Sequence, residues 1–100
     1  MKKIHCLLIL IIMFSLSSAA NAGDAEAGKA KSALCATCHG PDGISPNEVW
    51  PNLKGQKEGY IIKQLKALRS GDRKDPLMSP MAAPLTDEDI ENLAAYFSSL

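Results

Sequence analysis

The pentapeptide Cys35-Ala36-Thr37-Cys38-His39 places two thiols with two residues between them and an imidazole directly after the second. This spacing is the signature for covalent attachment of a c-type haem. Each thiol can add to a haem vinyl group to form a thioether, and the same short segment then presents His39 to the iron as the proximal ligand. Redox chemistry is therefore the leading hypothesis for this chain.

Residues 1–22 have the pattern of a secretory signal peptide. Positions 1–3 form a positive n-region, positions 7–14 form a short apolar h-region, and Ala20-Asn21-Ala22 is a small-x-small cleavage site. We therefore expect cleavage after residue 22 and export of a mature domain, residues 23–100, to the periplasm, with no stable membrane insertion afterwards. The alternative is an uncleaved N-terminal anchor, which the short h-region disfavours.

The expected mature domain is small. Removal of 22 of the 100 residues leaves 78, with two cysteines, one histidine, nine basic and eleven acidic side chains. Both cysteines belong to the pentapeptide, so no disulfide framework is available to compensate for a small core. A covalent haem would supply a large apolar surface instead. The slightly acidic balance gives no indication of nucleic-acid binding.

Two other chemistries use the same residue types. A Cys-x-x-Cys pair can be a redox dithiol, but that motif belongs to a βαβ context and the sequence contains no clear strand. A structural zinc site needs a fourth Cys or His beside Cys35, Cys38 and His39, and residues 23–100 contain none. A chance motif on a surface turn is the third alternative, and the export signal and a sixth iron ligand are the features that count against it.

Three stretches have the apolar periodicity of helices, which predicts an all-α domain. The first runs from Asp24, a good N-cap, into the cysteine pair, with Gly28 inside it. The second covers residues 60–70 and ends at Gly71. The third begins after Thr86 as N-cap, with three acidic residues in its first turn. The apolar residues expected in the core of the last two are Ile61, Ile62, Leu65, Leu68, Ile90, Leu93, Ala94 and Phe97.

The segments between the helices are predicted to be loops. Residues 46–55 are irregular, and three prolines make residues 75–84 incompatible with a regular helix. This second loop carries Met78 and Met81, the only methionines outside residues 1–22. A methionine commonly fills gaps in a core, but a thioether is also the usual sixth ligand in electron-transfer haem proteins. The residues alone make both methionines candidates for the second axial position.

Five short segments together give the chain a resemblance to class I cytochrome c, most closely to one half of the dihaem periplasmic cytochromes and to short monohaem bacterial cytochromes. The resemblance extends over residues 23–100. It implies an all-α cytochrome c fold, with three main helices and loops wrapped around one covalently attached haem c. The matching segments are GDAEAG (23–28), CATCHG (35–40), WPNLKGQ (50–56), LTDEDI (85–90) and AAYF (94–97).

The resemblance also assigns roles to residues around the haem. The family's axial methionine lies seven residues before the leucine that precedes the last helix, which gives Met78 and not Met81. The proline twelve residues after the haem histidine accepts a hydrogen bond from that ring, which gives Pro51, and Trp50 beside it is expected at the cofactor. Cys35 and Cys38 would form the thioethers.

The helix crossing of the family is implied as well. Gly28 and Tyr96 match the positions where the first and last helices meet at close range. The aromatic residue that many relatives carry on the first helix is absent, with Lys31 and Ser32 near its place. The crossing is therefore expected to be packed differently in this chain.

The function implied by the resemblance is one-electron transfer between redox partner proteins in the periplasm, by a carrier that is not an enzyme. Two alternatives stay open. The chain could be the cytochrome subunit of a larger oxidoreductase. If the methionine ligand is labile, it could instead be a five-coordinate haem enzyme or sensor.

Overall fold

The computed structural model describes residues 23–100, so the predicted signal segment, residues 1–22, lies outside the described range. The described residues form five helices and no strands, which confirms the all-α prediction for this part of the chain. None of these helices is long and apolar enough to span a membrane. The helices are α1 (Ala25–Lys31), α2 (Ala33–His39), α3 (Glu58–Ser70), α4 (Met78–Ala82) and α5 (Asp87–Ser99).

Helix α5 packs against both α1 and α3. Its start is fixed by the predicted N-cap: Thr86 Oγ1 accepts a hydrogen bond from the Asp89 N–H at 3.0 Å, and the Asp89 carboxylate accepts one from the Thr86 N–H at 3.0 Å. This capping box satisfies backbone donors that a helix start leaves without partners. The predicted apolar stripe of α5 is buried. The core consists of Ile61, Leu68, Ala82, Leu85, Ile90, Leu93, Ala94, Tyr96 and Phe97.

Helix α3 begins at Glu58, slightly before the predicted start, and ends where predicted. Gly71 has a φ of 87°, the left-handed conformation in which glycine commonly closes a helix. Ile61 and Leu68 point into the core, whereas the lysines on the other face are exposed. Arg69 joins α3 to the start of α5 by donating to the Leu85 carbonyl oxygen at 2.9 Å.

The first predicted helix is divided in two, which corrects the expectation of one helix running into the cysteines. The break is at Ser32, between α1 and α2. Its hydroxyl donates to the Lys29 carbonyl oxygen at 2.6 Å, and the Cys35 N–H bonds to the Ser32 carbonyl oxygen in a tight turn. A serine hydroxyl that competes for backbone carbonyls in this way interrupts regular helical bonding.

The prediction that residues 75–84 contain no regular helix is wrong, because α4 lies within them. Pro80 is the third residue of α4. The N–H groups of the first residues of a helix have no intrahelical acceptor. A proline at one of these positions therefore removes no hydrogen bond from the helix. Proline-rich sequence can therefore form one short helical turn, and here that turn carries Met78.

Candidate functional site

Helix α2 presents all three residues of the pentapeptide that can hold a cofactor. Cys35 and Cys38 are about one helical turn apart and both are half-buried. Cys35 packs against the hydrophobic core. His39, the last residue of α2, is only 5% exposed. The two thiols and the imidazole therefore belong to one rigid element that is anchored to the core.

The orientation of the His39 ring is fixed by a single hydrogen bond. Nδ1 lies 2.7 Å from the carbonyl oxygen of Pro51. A carbonyl oxygen only accepts, so the Nδ1 atom carries the proton and donates. In the neutral form of such a ring, Nε2 carries no proton and is the nitrogen available to a metal ion, and a bond of this kind increases its basicity as a ligand. This is the contact that the resemblance assigned to Pro51.

The loop that contains Pro51 is itself tied to α2 by side chains that the sequence reasoning missed. The Ser45 hydroxyl donates to the Cys38 carbonyl oxygen at 3.0 Å. The Ser45 N–H donates to Asn52 Oδ1 at 2.7 Å. Together these bonds hold the backbone on both sides of Trp50 and Pro51 against the end of α2. Trp50 is half-buried within this loop.

The two methionines of α4 have different environments. Met78 is partly buried and packs against the hydrophobic core, whereas Met81 is 42% exposed. The backbone N–H of Met78 donates to the Asp75 carboxylate at 2.7 Å. This bond and a second one from Leu77 lower the pKa of Asp75 below its ordinary value. Only Met78 therefore combines a fixed backbone with contact to the core.

The alternative chemistries for the cysteines gain no support from the structure. Burial raises the pKa of the Cys35 thiol, and the nearby Cys38 adds to that increase. A redox dithiol needs the opposite, a thiol whose pKa is lowered so that it reacts as a thiolate. Within residues 23–100 no group of three or more His, Cys, Asp or Glu side chains is arranged to hold a metal ion.

The surroundings of the site fit a haem. A c-type haem needs two thiols for its vinyl groups, an imidazole nitrogen and an apolar wall, and it often takes a thioether as the second axial ligand. Side chains from α2, the following loop, α3 and α4 pack against the core on one side and are still partly exposed on the other. They can therefore form that apolar wall. They are Cys35, Leu53, Ile62, Leu65 and Met78.

Similarity to known proteins extends over nearly all of the described residues. The family model for cytochrome c matches residues 25–100. Cytochrome c-554(548) of Halomonas halodenitrificans is 49% identical over an 81-residue alignment that covers 78% of this chain and 98% of that protein. The thiosulfate dehydrogenase electron acceptor of Stutzerimonas stutzeri strain A1501 is 38% identical over a 107-residue alignment that covers 100% of this chain and 50% of that protein.

Solved structures of similar proteins have the same fold. The crystal structure of reduced recombinant cytochrome c4 from Pseudomonas stutzeri superposes with a TM-score of 0.74 at 48% identity, covering 78% of this chain and 46% of that chain. The predicted fold is thereby confirmed. The chain spans about half the length of the cytochrome c4 relatives that it matches.

Proposed function

Because the chain belongs to the cytochrome c family, we propose that it is an electron carrier that uses one covalently bound haem c. The haem, when bound, supplies reversible one-electron chemistry at its iron. The protein's own residues attach it, ligate it and shield it from water. An electron carrier needs no substrate site at the iron, so both axial positions can be occupied by side chains.

In this proposal Cys35 and Cys38 form the two thioethers, and His39 and Met78 are the axial ligands. The observation that carries it is the hydrogen bond from His39 Nδ1 to the Pro51 carbonyl oxygen, at 2.7 Å. That bond leaves Nε2 as the free ligand atom of a buried ring that follows directly on the two attachment thiols. The partial burial of Met78 against the core supports it over Met81 as the second ligand.

The proposed partners are redox proteins, and the proposed location is the periplasm. The signal-like pattern of residues 1–22 supports export. One relative is named as the electron acceptor of a dehydrogenase, which supports a carrier that receives electrons from a partner enzyme and passes them on. The same chemistry would serve the cytochrome subunit of a larger oxidoreductase.

The test is to express the full chain with a haem-attachment system and to record the absorption spectrum of the exported protein in both redox states. We expect a mass increase of one haem that survives denaturation. We also expect a weak band at the red end of the visible spectrum of the oxidised protein, which reports a methionine–iron bond. A protein with covalent haem but without that band would favour the five-coordinate enzyme or sensor.

A further inference from the structure

The side chain of Asp75 forms hydrogen bonds with the backbone of the segment that leads into α4. Asp75 Oδ1 accepts two backbone hydrogen bonds, from the Leu77 N–H at 2.9 Å and from the Met78 N–H at 2.7 Å. These are among the donors at the start of α4 that have no partner within the helix. The carboxylate therefore fixes the backbone of the residue proposed to ligate the iron.

Ser79, directly after Met78, forms two hydrogen bonds with the backbone of Asp75. Its hydroxyl oxygen accepts from the Asp75 N–H at 3.0 Å, and its own N–H donates to the Asp75 carbonyl oxygen at 3.0 Å. The Ser79 hydroxyl also lies 3.4 Å from the Arg73 carbonyl oxygen, to which it donates. Asp75 and Ser79 thus hold each other in place on either side of Met78.

Helix α4 cannot hold this geometry by itself. It has five residues, far fewer than the length at which an isolated helix becomes stable. Leu77 at its N-cap position contributes no side-chain hydrogen bond. The position of Met78 therefore depends on the packing of α4 against the core, through Met78 and Ala82, and on the hydrogen bonds of Asp75.

We propose that Asp75 is a positioning residue that keeps the Met78 sulfur on the iron. The proposal rests on the proposed function, in which Met78 is the second axial ligand. Without the carboxylate, two backbone donors at the start of α4 lose their acceptor and α4 gains freedom to move. An added ligand would then replace the methionine more easily, and Asp75 would act through the backbone of Leu77 and Met78.

The test uses imidazole as a competing ligand for the oxidised holoprotein. We expect Asp75→Ala to increase imidazole affinity about tenfold or more, the equivalent of losing one good hydrogen bond to a charged group. Asp75→Asn retains a carbonyl oxygen at the same position and should restore most of the wild-type value. Asp72→Ala is the matched control, because Asp72 lies in the same loop between α3 and α4, while the N–H groups of Leu77 and Met78 donate to Asp75.

The outcomes separate the proposal from its premise. A wild-type protein without the methionine–iron band would overturn the premise and with it the proposal. If the wild-type band is present and Asp75→Ala binds imidazole within twofold of the wild type, Asp75 is only a structural residue and the proposal is wrong.

A second variant tests the proposal if Asp75→Ala does not fold. Ser79→Ala removes the hydroxyl that orients Asp75 and should increase imidazole affinity in the same direction but by less. Its urea midpoint should stay close to that of Asp72→Ala, which separates ligand release from general instability. An imidazole affinity equal to that of Asp72→Ala would contradict the proposal.

Discussion

Gly28 of α1 lies directly against the backbone of Asn92 in α5, where the first and last helices cross. A Cβ atom at position 28 would collide with the Asn92 carbonyl oxygen and would come within 2.9 Å of the Tyr96 Cβ atom. This accounts for a glycine inside a helix, where it otherwise costs stability. Beside the contact, Lys31 forms an ion pair with Asp89 at 3.5 Å, where the chain lacks the expected aromatic residue.

The crossing predicts a large difference between two glycine substitutions. Gly28→Ala should lower the free energy of unfolding by about 1–3 kcal/mol or more, because the added methyl group forces the two helices apart. A Cβ atom at Gly59 of α3 would meet no atom within 4 Å, so Gly59→Ala should increase the free energy of unfolding by about 0.4–1 kcal/mol. Urea unfolding of both holoproteins is the measurement. Equal effects of the two substitutions would contradict the close crossing.

The different burial of the two methionines predicts different spectra. Met78→Ala should abolish the methionine–iron band, lower the reduction potential and open the iron to cyanide or carbon monoxide. Met81 is 42% exposed, so Met81→Ala should keep the band and cost less than about 2 kcal/mol of stability. Absorption spectra and potentiometric titration of both variants provide the check. An exchange of these results would mean that Met81 is the ligand.

The cysteine pair predicts dependence of folding on haem attachment. A described domain of 78 residues has only about 4–12 kcal/mol of stability in total. Loss of a covalent apolar cofactor should exceed that margin, so the double variant Cys35→Ala, Cys38→Ala should lack the haem mass and most helical circular dichroism. Thr37→Ala is the control, because Thr37 lies between the cysteines but is exposed. A double variant that folds without haem would show that the core does not need the cofactor.

The features that the sequence predicted correctly depend on local chemistry. The N-cap at Thr86, the glycine stop at Gly71 and the buried stripe of α5 each follow from residues a few positions apart. The contact between His39 and Pro51 spans twelve positions, and only the family resemblance anticipated it. Periodicity alone could not have placed that carbonyl oxygen on that ring.

The misses have physical reasons. The break at Ser32 depends on the hydrogen bond that its hydroxyl donates to the Lys29 carbonyl oxygen. The acceptor of a serine hydroxyl within a helical pattern cannot be predicted from the sequence. The sequence prediction missed helix α4 because a proline breaks a helix only beyond its first turn, and the proline of α4 lies within that turn. Asp75, three residues before Met78, was the available signal, since Asp is a common partner for the first N–H groups of a helix.

The ion pair between Arg69 and Asp87 predicts a specific loss of stability in acid. Arg69 Nη2 donates to Asp87 Oδ1 at 2.6 Å. That hydrogen bond and the charge of Arg69, with a smaller effect from Lys66, lower the pKa of Asp87 below its ordinary value. A carboxyl whose pKa is lower in the folded than in the unfolded chain stabilises the fold above the unfolded-state pKa of about 4. This stabilisation is lost as the pH falls from there through the folded-state pKa.

A double-mutant cycle isolates that pair from the other acid-sensitive groups. Asp87→Asn should lower the free energy of unfolding at pH 7, and its difference from the wild type should shrink as the pH falls below about 4. In an Arg69→Met background, which also removes the bond to the Leu85 carbonyl oxygen, Asp87→Asn should have a smaller effect at pH 7, because only Lys66 and the helix dipole still favour the charge. Urea unfolding at both pH values gives the coupling energy between the two residues. A coupling energy that is the same at pH 3 and pH 7 would show that the charge of Asp87 does not contribute to holding α3 against the start of α5.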